Sequence, residues 1–140
     1  MIVRHRLRMF EDMGVAVDTQ AVSAAFAAWL DVQMRAGVYR AWLVEHDDGI
    51  VAGGGLTVLP WPPGPRELSG RLPIVYNIYT EPAHRRRGLA RTIMQTIHAW
   101  CLEAGYRTVA LAASADGRSM YESLGYQESP QPYMFVTLSH

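Results

Sequence analysis

The chain has 140 residues, 49% of them apolar and 19% charged, with 13 Lys and Arg balancing 13 Asp and Glu. One domain of that length buries a core without disulfides or metal, and a formal charge of zero excludes a global field for nucleic acid or membrane. Basic character is local, around residues 84–91. The single cysteine, Cys101, excludes an internal disulfide and fits a reducing cytosol, so a cytoplasmic protein is expected. No apolar run approaches the ~20 residues of a membrane span. The first residues, MIVRHRLRMFEDMG, lack the apolar run and small-residue cleavage site of a secretory signal.

Residues 2–13 read as a helix with Val3, Leu7 and Phe10 on one face, broken at Met13-Gly14. A second helix is predicted from Asp18 or Thr19 as N-cap to Ala36, with Gly37 as its stop. Its Val22, Phe26, Trp29, Leu30 and Met34 recur at helical spacing and are expected to form a buried stripe. From Tyr39 the period changes to that of strands. Residues 41–44 and 50–52 flank a turn at 45–49, marked by Asp48-Gly49, and predict a hairpin. The second arm continues through Gly53-Gly54-Gly55 to Leu59. No helix follows these glycines, which favours a bulge or close backbone approach over a phosphate loop. Residues 60–73 (PWPPGPRELSGRLP) are expected to be a proline-rich loop rather than a central strand. Loops of that length are often lids or binding loops, and Trp61 reads equally as a substrate contact or a packed surface aromatic.

The stretch 76–93, YNIYTEPAHRRRGLARTI, is the most informative. A β-favouring run at 74–80 stops at Glu81-Pro82, and an amphipathic helix opens within the basic run. Helix starts prefer Asp or Glu because their unpaired N–H groups make that end positive. Three consecutive arginines there are locally unfavourable unless an anion sits above them. Gly88 lets a ligand approach the backbone closely. Strand, basic glycine turn and helix start together predict a phosphate cradle. The helix runs to Ala104, stopped by Gly105, with Leu89, Ile93, Ile97 and Trp100 or Cys101 as its core stripe. Cys101 on that stripe reads as a small buried hydrophobe rather than a nucleophile. A short strand at 108–112, a short helix near 117–124 capped by Gly125, and a last strand at 133–138 complete a mixed α/β domain over residues 1–140.

There is no G-x-x-x-x-G-K-[ST] and no G-x-G-x-x-G opening a helix, and the five histidines are scattered, so neither a P-loop nor a metal site is expected. What remains is Arg85-Arg86-Arg87-Gly88-Leu89-Ala90, which resembles the R/Q-x-x-G-x-G/A signature of the GNAT N-acetyltransferase superfamily. Downstream, Tyr121-Glu122-Ser123-Leu124-Gly125-Tyr126 resembles that superfamily's Y-E-x-L-G-F/Y segment. The resemblance runs from Tyr39 onward, about two-thirds of the chain. It implies a central, mostly antiparallel sheet with flanking helices. That fold usually begins with a strand, whereas this chain starts almost at once in helical pattern. The first strand is therefore absent, supplied by a partner or lost to a misplaced start. A short or exposed first edge invites strand pairing, and a homodimer is among the expectations.

The same resemblance implies acetyl transfer from acetyl-CoA, with no metal. Backbone N–H groups across Arg85, Arg86, Arg87, Gly88, Leu89, Ala90 and Arg91 would hold the pyrophosphate, and arginine side chains would reach phosphates. The Ile78 N–H would polarise the thioester carbonyl, with Tyr79 and Thr80 giving backbone contacts to the pantetheine arm. Ser114 stands where relatives often carry Asn, near the pantetheine, and Gly117 joins the cofactor set. Tyr121 occupies the place of the usual general acid. Glu81, Glu45, His46, His84 and water relays all stay open as routes for the amine's proton. The expected acceptor is a primary amine of a small molecule or peptide, attacking directly in a ternary complex. Trp29, Tyr39, Trp61, Asn77 and Tyr133 are candidate pocket residues. A CoA-binding module without turnover is the alternative. Nucleic-acid binding through the arginine run lacks a broad basic face and a stacking platform.

Overall fold

The computed structural model describes residues 1–47 and 49–139. The elements, in order, are α1 (Ile2–Asp12), α2 (Thr19–Arg35), β1 (Tyr39–His46), β2 (Gly49–Pro60) and β3 (Arg71–Thr80). A 3-10 turn (Pro82–His84), α3 (Leu89–Glu103), β4 (Ala110–Leu111) and α4 (Arg118–Ser123) follow. The strands lie in the order β1-β2-β3-β4; β1, β2 and β3 pair antiparallel, and β4 runs parallel to β3. This is the mixed α/β architecture with a mostly antiparallel sheet that the sequence predicts. Among the described residues no strand precedes α1, and β1 stands at one edge of the sheet.

β2 is buried without interruption from residue 51 to 58 because both of its faces are covered. A side chain at Gly54 would meet Ile93 and Ile97 of α3, whereas one at Gly53 would meet His5 of α1. α3 brings Ile93, Met94, Ile97 and Cys101 onto Ala52, Leu56, Val58 and Val75, and these residues form the core with Tyr121. Each large apolar side chain so buried contributes about 1.5–3 kcal/mol. Burial pushes the Cys101 thiol up to about 11, so it stays protonated and inert. The expectation of a small core hydrophobe holds.

The glycine run is a packing device. β2 and β3 shift register between Gly53 and Gly55, and the Tyr39 ring crosses the strand at Gly55, where a Cβ would lie 1.8 Å from its Oη. Asp18 caps α2 as expected, its Oδ1 accepting from the Ala21 N–H at 3.0 Å. The predicted turn residue Asp48 lies outside the described residues.

Four expectations are corrected. First, residues 60–73 are not all loop: Pro60 closes β2, and Arg71, Leu72 and Pro73 open β3, with Pro73 opposite Val58 and fully buried. β4 pairs only with Ile74 and Val75, so at Pro73 the strand has a partner on one side and tolerates a residue without an N–H. Second, the strand at 108–112 shortens to Ala110–Leu111. Third, α2 has no buried residue; Val22, Phe26 and Leu30 are half-buried while Trp29 and Met34 are exposed, because α2 leans on α1 and β1 at the rim of the fold. Fourth, residues 133–138 form no strand, since they have no backbone partner among the described residues.

The remaining loop, 61–70, is tied down. The buried Glu67 carboxylate accepts from the N–H groups of Arg107 (2.7 Å) and Thr108 (2.9 Å), and the Thr108 hydroxyl donates to the Arg66 carbonyl at 2.6 Å. These backbone donors hold the Glu67 pKa below the usual carboxylate range. Its folded-state pKa is thus depressed, so its stabilisation is present above the ordinary glutamate range and lost as the pH falls through the folded value. Glu67→Gln should flatten the acid limb of a stability–pH curve; an unchanged limb counts against the assignment. Gly55→Ala should lower stability by about 1–3 kcal/mol in urea titration. That penalty should shrink in a Tyr39→Leu background, whereas strictly additive effects would show that the tyrosine is not the obstacle.

Candidate active site

The site is built on the end of β3 that β4 leaves uncovered. β4 pairs with β3 at Ile74 and Val75 only, so from Tyr76 to Thr80 that flank has no strand partner among the described residues. In the middle of this flank Asn77 takes a left-handed backbone, φ +60°, opposite the register shift in β2. A non-glycine residue holds that conformation only when its surroundings fix it. Here the Asn77 amide donates to the Tyr39 hydroxyl and its carbonyl accepts from Arg6 Nη1, both at 2.8 Å. Arg6 in turn lies over the rings of Phe10 and Phe26, at 5.0 and 4.9 Å. The resulting bulge turns the strand just before Ile78.

Below the bulge His5 is buried against Tyr79, ring centroids 5.0 Å apart, and its Nε2 has no hydrogen-bond partner among the described residues. Burial lowers its pKa, opposed by the Glu81 carboxylate 3.8 Å from Nε2. Glu81 itself is held by Arg4 of α1. Glu81 thus faces α1 and is not among the residues that line the neighbouring groove.

A groove of about 610 Å³ opens beside the uncovered flank. Of the predicted residues, Ile78, Tyr79, Thr80, Arg85, Arg86, Gly88, Leu89, Ala90, Arg91, Ser114, Gly117 and Tyr121 all line it. Arg87 does not: its Nη1 lies 3.5 Å from Nδ1 of His84, which does line the groove. α3 begins at Leu89 after Gly88, whose φ of +76° suits glycine and which offers no side-chain cap. The first N–H groups of α3 therefore meet the groove without an intrahelical partner, and the helix dipole adds positive potential there.

The arginines divide in role. Arg85 donates from Nε to the Thr80 carbonyl at 2.9 Å and pairs through Nη2 with Asp12 at 2.6 Å. It therefore fixes the turn and draws α1 to the groove, where Met9, Asp12 and Met13 form part of the wall. Arg91 donates to the Ser123 hydroxyl at 2.5 Å, joining α3 to α4. Arg86, at φ +63°, is exposed and makes no side-chain bond to the described residues, so its charge faces an incoming anion.

On the opposite wall Tyr121 is 9% exposed, and its hydroxyl makes no hydrogen bond among the described residues. Burial raises its pKa, so it carries its proton at neutral pH. Gly117 makes room for it, since a Cβ there would lie 2.8 Å from the Tyr121 ring. The Ser114 hydroxyl accepts from the Gly117 N–H at 3.2 Å and shapes the turn into α4.

The other sequence candidates separate. Tyr39 and Asn77 meet beneath the bulge, with Trp29 edge-on to Tyr39 at 5.5 Å. Trp61 and Tyr133 pack on each other, T-shaped at 6.2 Å, by the β2–β3 loop at the far end of β3 from the basic turn. The His46 ring lies 5.1 Å from that of His84, tilted by 58°, while Glu45 stays on β1 outside the groove lining. Asp12, Met9 and Met13 were not legible as site residues, for they lie some seventy residues before the turn they reach (separation 73 for Asp12–Arg85).

Residues 37–128 match the family model described as an acetyltransferase (GNAT) domain. The structure is similar to a GCN5-related N-acetyltransferase from Ralstonia eutropha, with 29% identity, TM-score 0.87, and 96% of this chain and 90% of that one covered. It is also similar in fold to a predicted acetyltransferase from Clostridium acetobutylicum, solved with acetyl-CoA, at 22% identity and TM-score 0.85, covering 96% and 87%. A mouse protein described as probable N-acetyltransferase family 8 member 5 is 28% identical over 93 residues. That match takes in 63% of this chain and only 38% of the mouse protein's length. With the family model spanning most of the chain, and with a cradle, an open strand flank and a buried tyrosine in one groove, this chain belongs to the GNAT acetyltransferase family.

Proposed function

We propose that the chain is an acetyl-CoA-dependent N-acetyltransferase that acylates a primary amine of a small molecule or peptide by direct attack in a ternary complex. The observation that carries this reading is one groove joining an uncapped helix start, an uncovered strand flank and a tyrosine hydroxyl with no hydrogen-bond partner among the described residues. Acetyl-CoA supplies the activated acyl group and a thiolate leaving group. The first N–H groups of α3 and the Arg86 guanidinium hold its phosphates, with Arg85 fixing the turn through Thr80 and Asp12. The flank from Tyr76 to Thr80 offers backbone groups to an extended pantetheine arm, in the manner of an added strand.

Ile78, placed directly after the bulge, presents its N–H to the thioester carbonyl and stabilises the negative charge that develops on that oxygen. Tyr121 delivers its proton to the departing sulfur, a step worth about 10²–10⁴-fold. The amine's proton leaves by His84, the imidazole on the groove wall, or through water. The competing reading is a CoA-binding module without turnover, and Glu81 being tied to Arg4 is the observation in its favour. CoA thiol release in a screen of primary amines decides between them.

Acetyl-CoA and CoA at about 100 times their dissociation constants should each add roughly 2.7 kcal/mol to stability. ATP should add little, and Gly88→Glu, which places a charged side chain at a left-handed position on the groove wall, should abolish the shift. A folded wild type with no shift would sink the cofactor assignment. Tyr121→Phe should reduce kcat by about 10²–10⁴-fold with little change in acetyl-CoA affinity. Since burial raises the tyrosine's pKa, the wild-type alkaline limb should lie above the ordinary value of ~10. An alkaline limb near neutrality, or full activity in the variant, would remove Tyr121 from the chemistry.

A further inference from the structure

Arg6 of α1 is a half-buried cation that pairs with no carboxylate among the described residues. The acids on the elements around it are engaged elsewhere: Glu11 with Arg8, Asp12 with Arg85, Asp31 with Arg35 and Glu81 with Arg4. Asp18 caps α2. Burial lowers the Arg6 pKa, opposed only by the phenols of Tyr39 and Tyr76. Of its N–H donors only Nη1 is used, in the bond to the Asn77 side chain, while the Phe10 and Phe26 rings lie against the guanidinium. A buried charge without a counter-ion is costly, and an arriving anion offsets that cost.

The position of Arg6 relates it to the groove. It stands one helical turn before Met9, on the same face of α1, and Met9 forms part of the groove wall. Asn77, which it touches, directly precedes Ile78, also on that wall. The two neighbours look to opposite faces of the sheet. A side chain at Gly54 would meet Ile78 together with Ile93 and Ile97 on the α3 face, whereas Asn77 reaches Tyr39 and Arg6 on the α1 face. Arg6 therefore flanks the point where the Ile78 N–H would hold the thioester carbonyl. We propose that Arg6 binds the carboxylate of the acceptor, so that the substrate is a free amino acid whose amine is turned to the thioester at Ile78.

The inference rests on the acetyl-transfer reading and narrows its acceptor from primary amines in general to those that carry a carboxylate. Arginine suits that task, because its planar fork takes a carboxylate through two parallel bonds. The Tyr76 phenol, on the uncovered flank and 37% exposed, adds a neutral donor beside it. Phe26 and Trp29, with ring centroids 5.8 Å apart, bring apolar surface to the same side and favour an apolar side chain on the amino acid. The Arg6 charge works against a polyamine, since the acids of α1 and α2 are already engaged. It also works against a peptide N-terminus, whose first residue has no free carboxylate.

Calorimetry on the CoA-bound full chain tests it without turnover, using glycine, β-alanine, leucine and phenylalanine, each beside its carboxamide. The acids should bind the wild type about 10–100-fold tighter than their amides, as loss of a charged hydrogen-bond pair implies. Arg6→Gln, which keeps a donor for Asn77, should bring that ratio near unity. Arg6→Lys, which keeps the charge without the fork, should lower it severalfold and serves where Arg6→Gln does not fold. Taking the ratio within one protein cancels any common loss from a disturbed bulge, and a retained thermal shift with CoA shows that each variant is folded. Acids that bind no tighter than amides, a panel that does not bind at all, tighter binding of spermidine, or a ratio that survives in the variants would overturn the proposal. Acetyl-CoA in the same samples tests the reading beneath it: Arg6-dependent binding without CoA thiol release would sink the transferase and leave the carboxylate site standing.

Discussion

A single left-handed residue in the middle of β3 governs the geometry of the site. Asn77 at φ +60° is stable only because the Tyr39 hydroxyl and the Arg6 guanidinium clamp both ends of its side-chain amide. Each clamp needs support of its own. Tyr39 crosses β2 where Gly55 leaves it space, and Arg6 rests on two phenylalanine rings from α1 and α2. Hydrogen bonds of this kind contribute about 1 kcal/mol each, which is comparable to the strain of the backbone they hold. Their value lies in direction rather than in net stability. They turn Ile78 to the groove and end the regular ladder where β4 diverges.

The charges around the groove follow a related logic. Arg4 and Arg85 reach across to Glu81 and Asp12, pairing α1 with the residues on either side of the basic turn. Such partly exposed pairs contribute only about 0–1 kcal/mol, so they steer more than they stabilise. They engage Arg85 of the run together with Asp12 and Glu81, and they leave Arg86 and the helix start without a side-chain partner among the described residues. The neutral sum of the chain therefore conceals a local positive field built from dipole and guanidinium together.

β3 thus has two ends with different duties. At the groove end its outer flank is uncovered and available to a ligand. At the other end Pro73, the loop at 61–70 and the Glu67 carboxylate lock the strand to β2 and to the start of β4. The division places rigidity under the site and leaves the apolar arm at 133–138 to leave the body beside Trp61.

Some of this was legible before folding. The strand–turn–helix around Gly88, the caps at Asp18 and Gly37, the close approach at the glycine run, and the Tyr121 segment are local patterns. The residues that define each of them are neighbours in the chain. Their physics is short-ranged: unpaired N–H groups, positive φ and helical periodicity all act within a few residues. The exposure of α2, the strand role of Pro73, the missing last strand, the clamp on Asn77 and the pairing of Asp12 with Arg85 were not legible. Each depends on what stands opposite. A proline is tolerated because one flank lacks a partner, a helical stripe stays exposed because nothing covers it, and an arginine is spent because an aspartate 73 positions away reaches it. The sequence by itself determined the helices and the strand–turn–helix around Gly88. Only the tertiary structure decided which edges, charges and side chains were left unpaired, because pairing is a property of two elements at once.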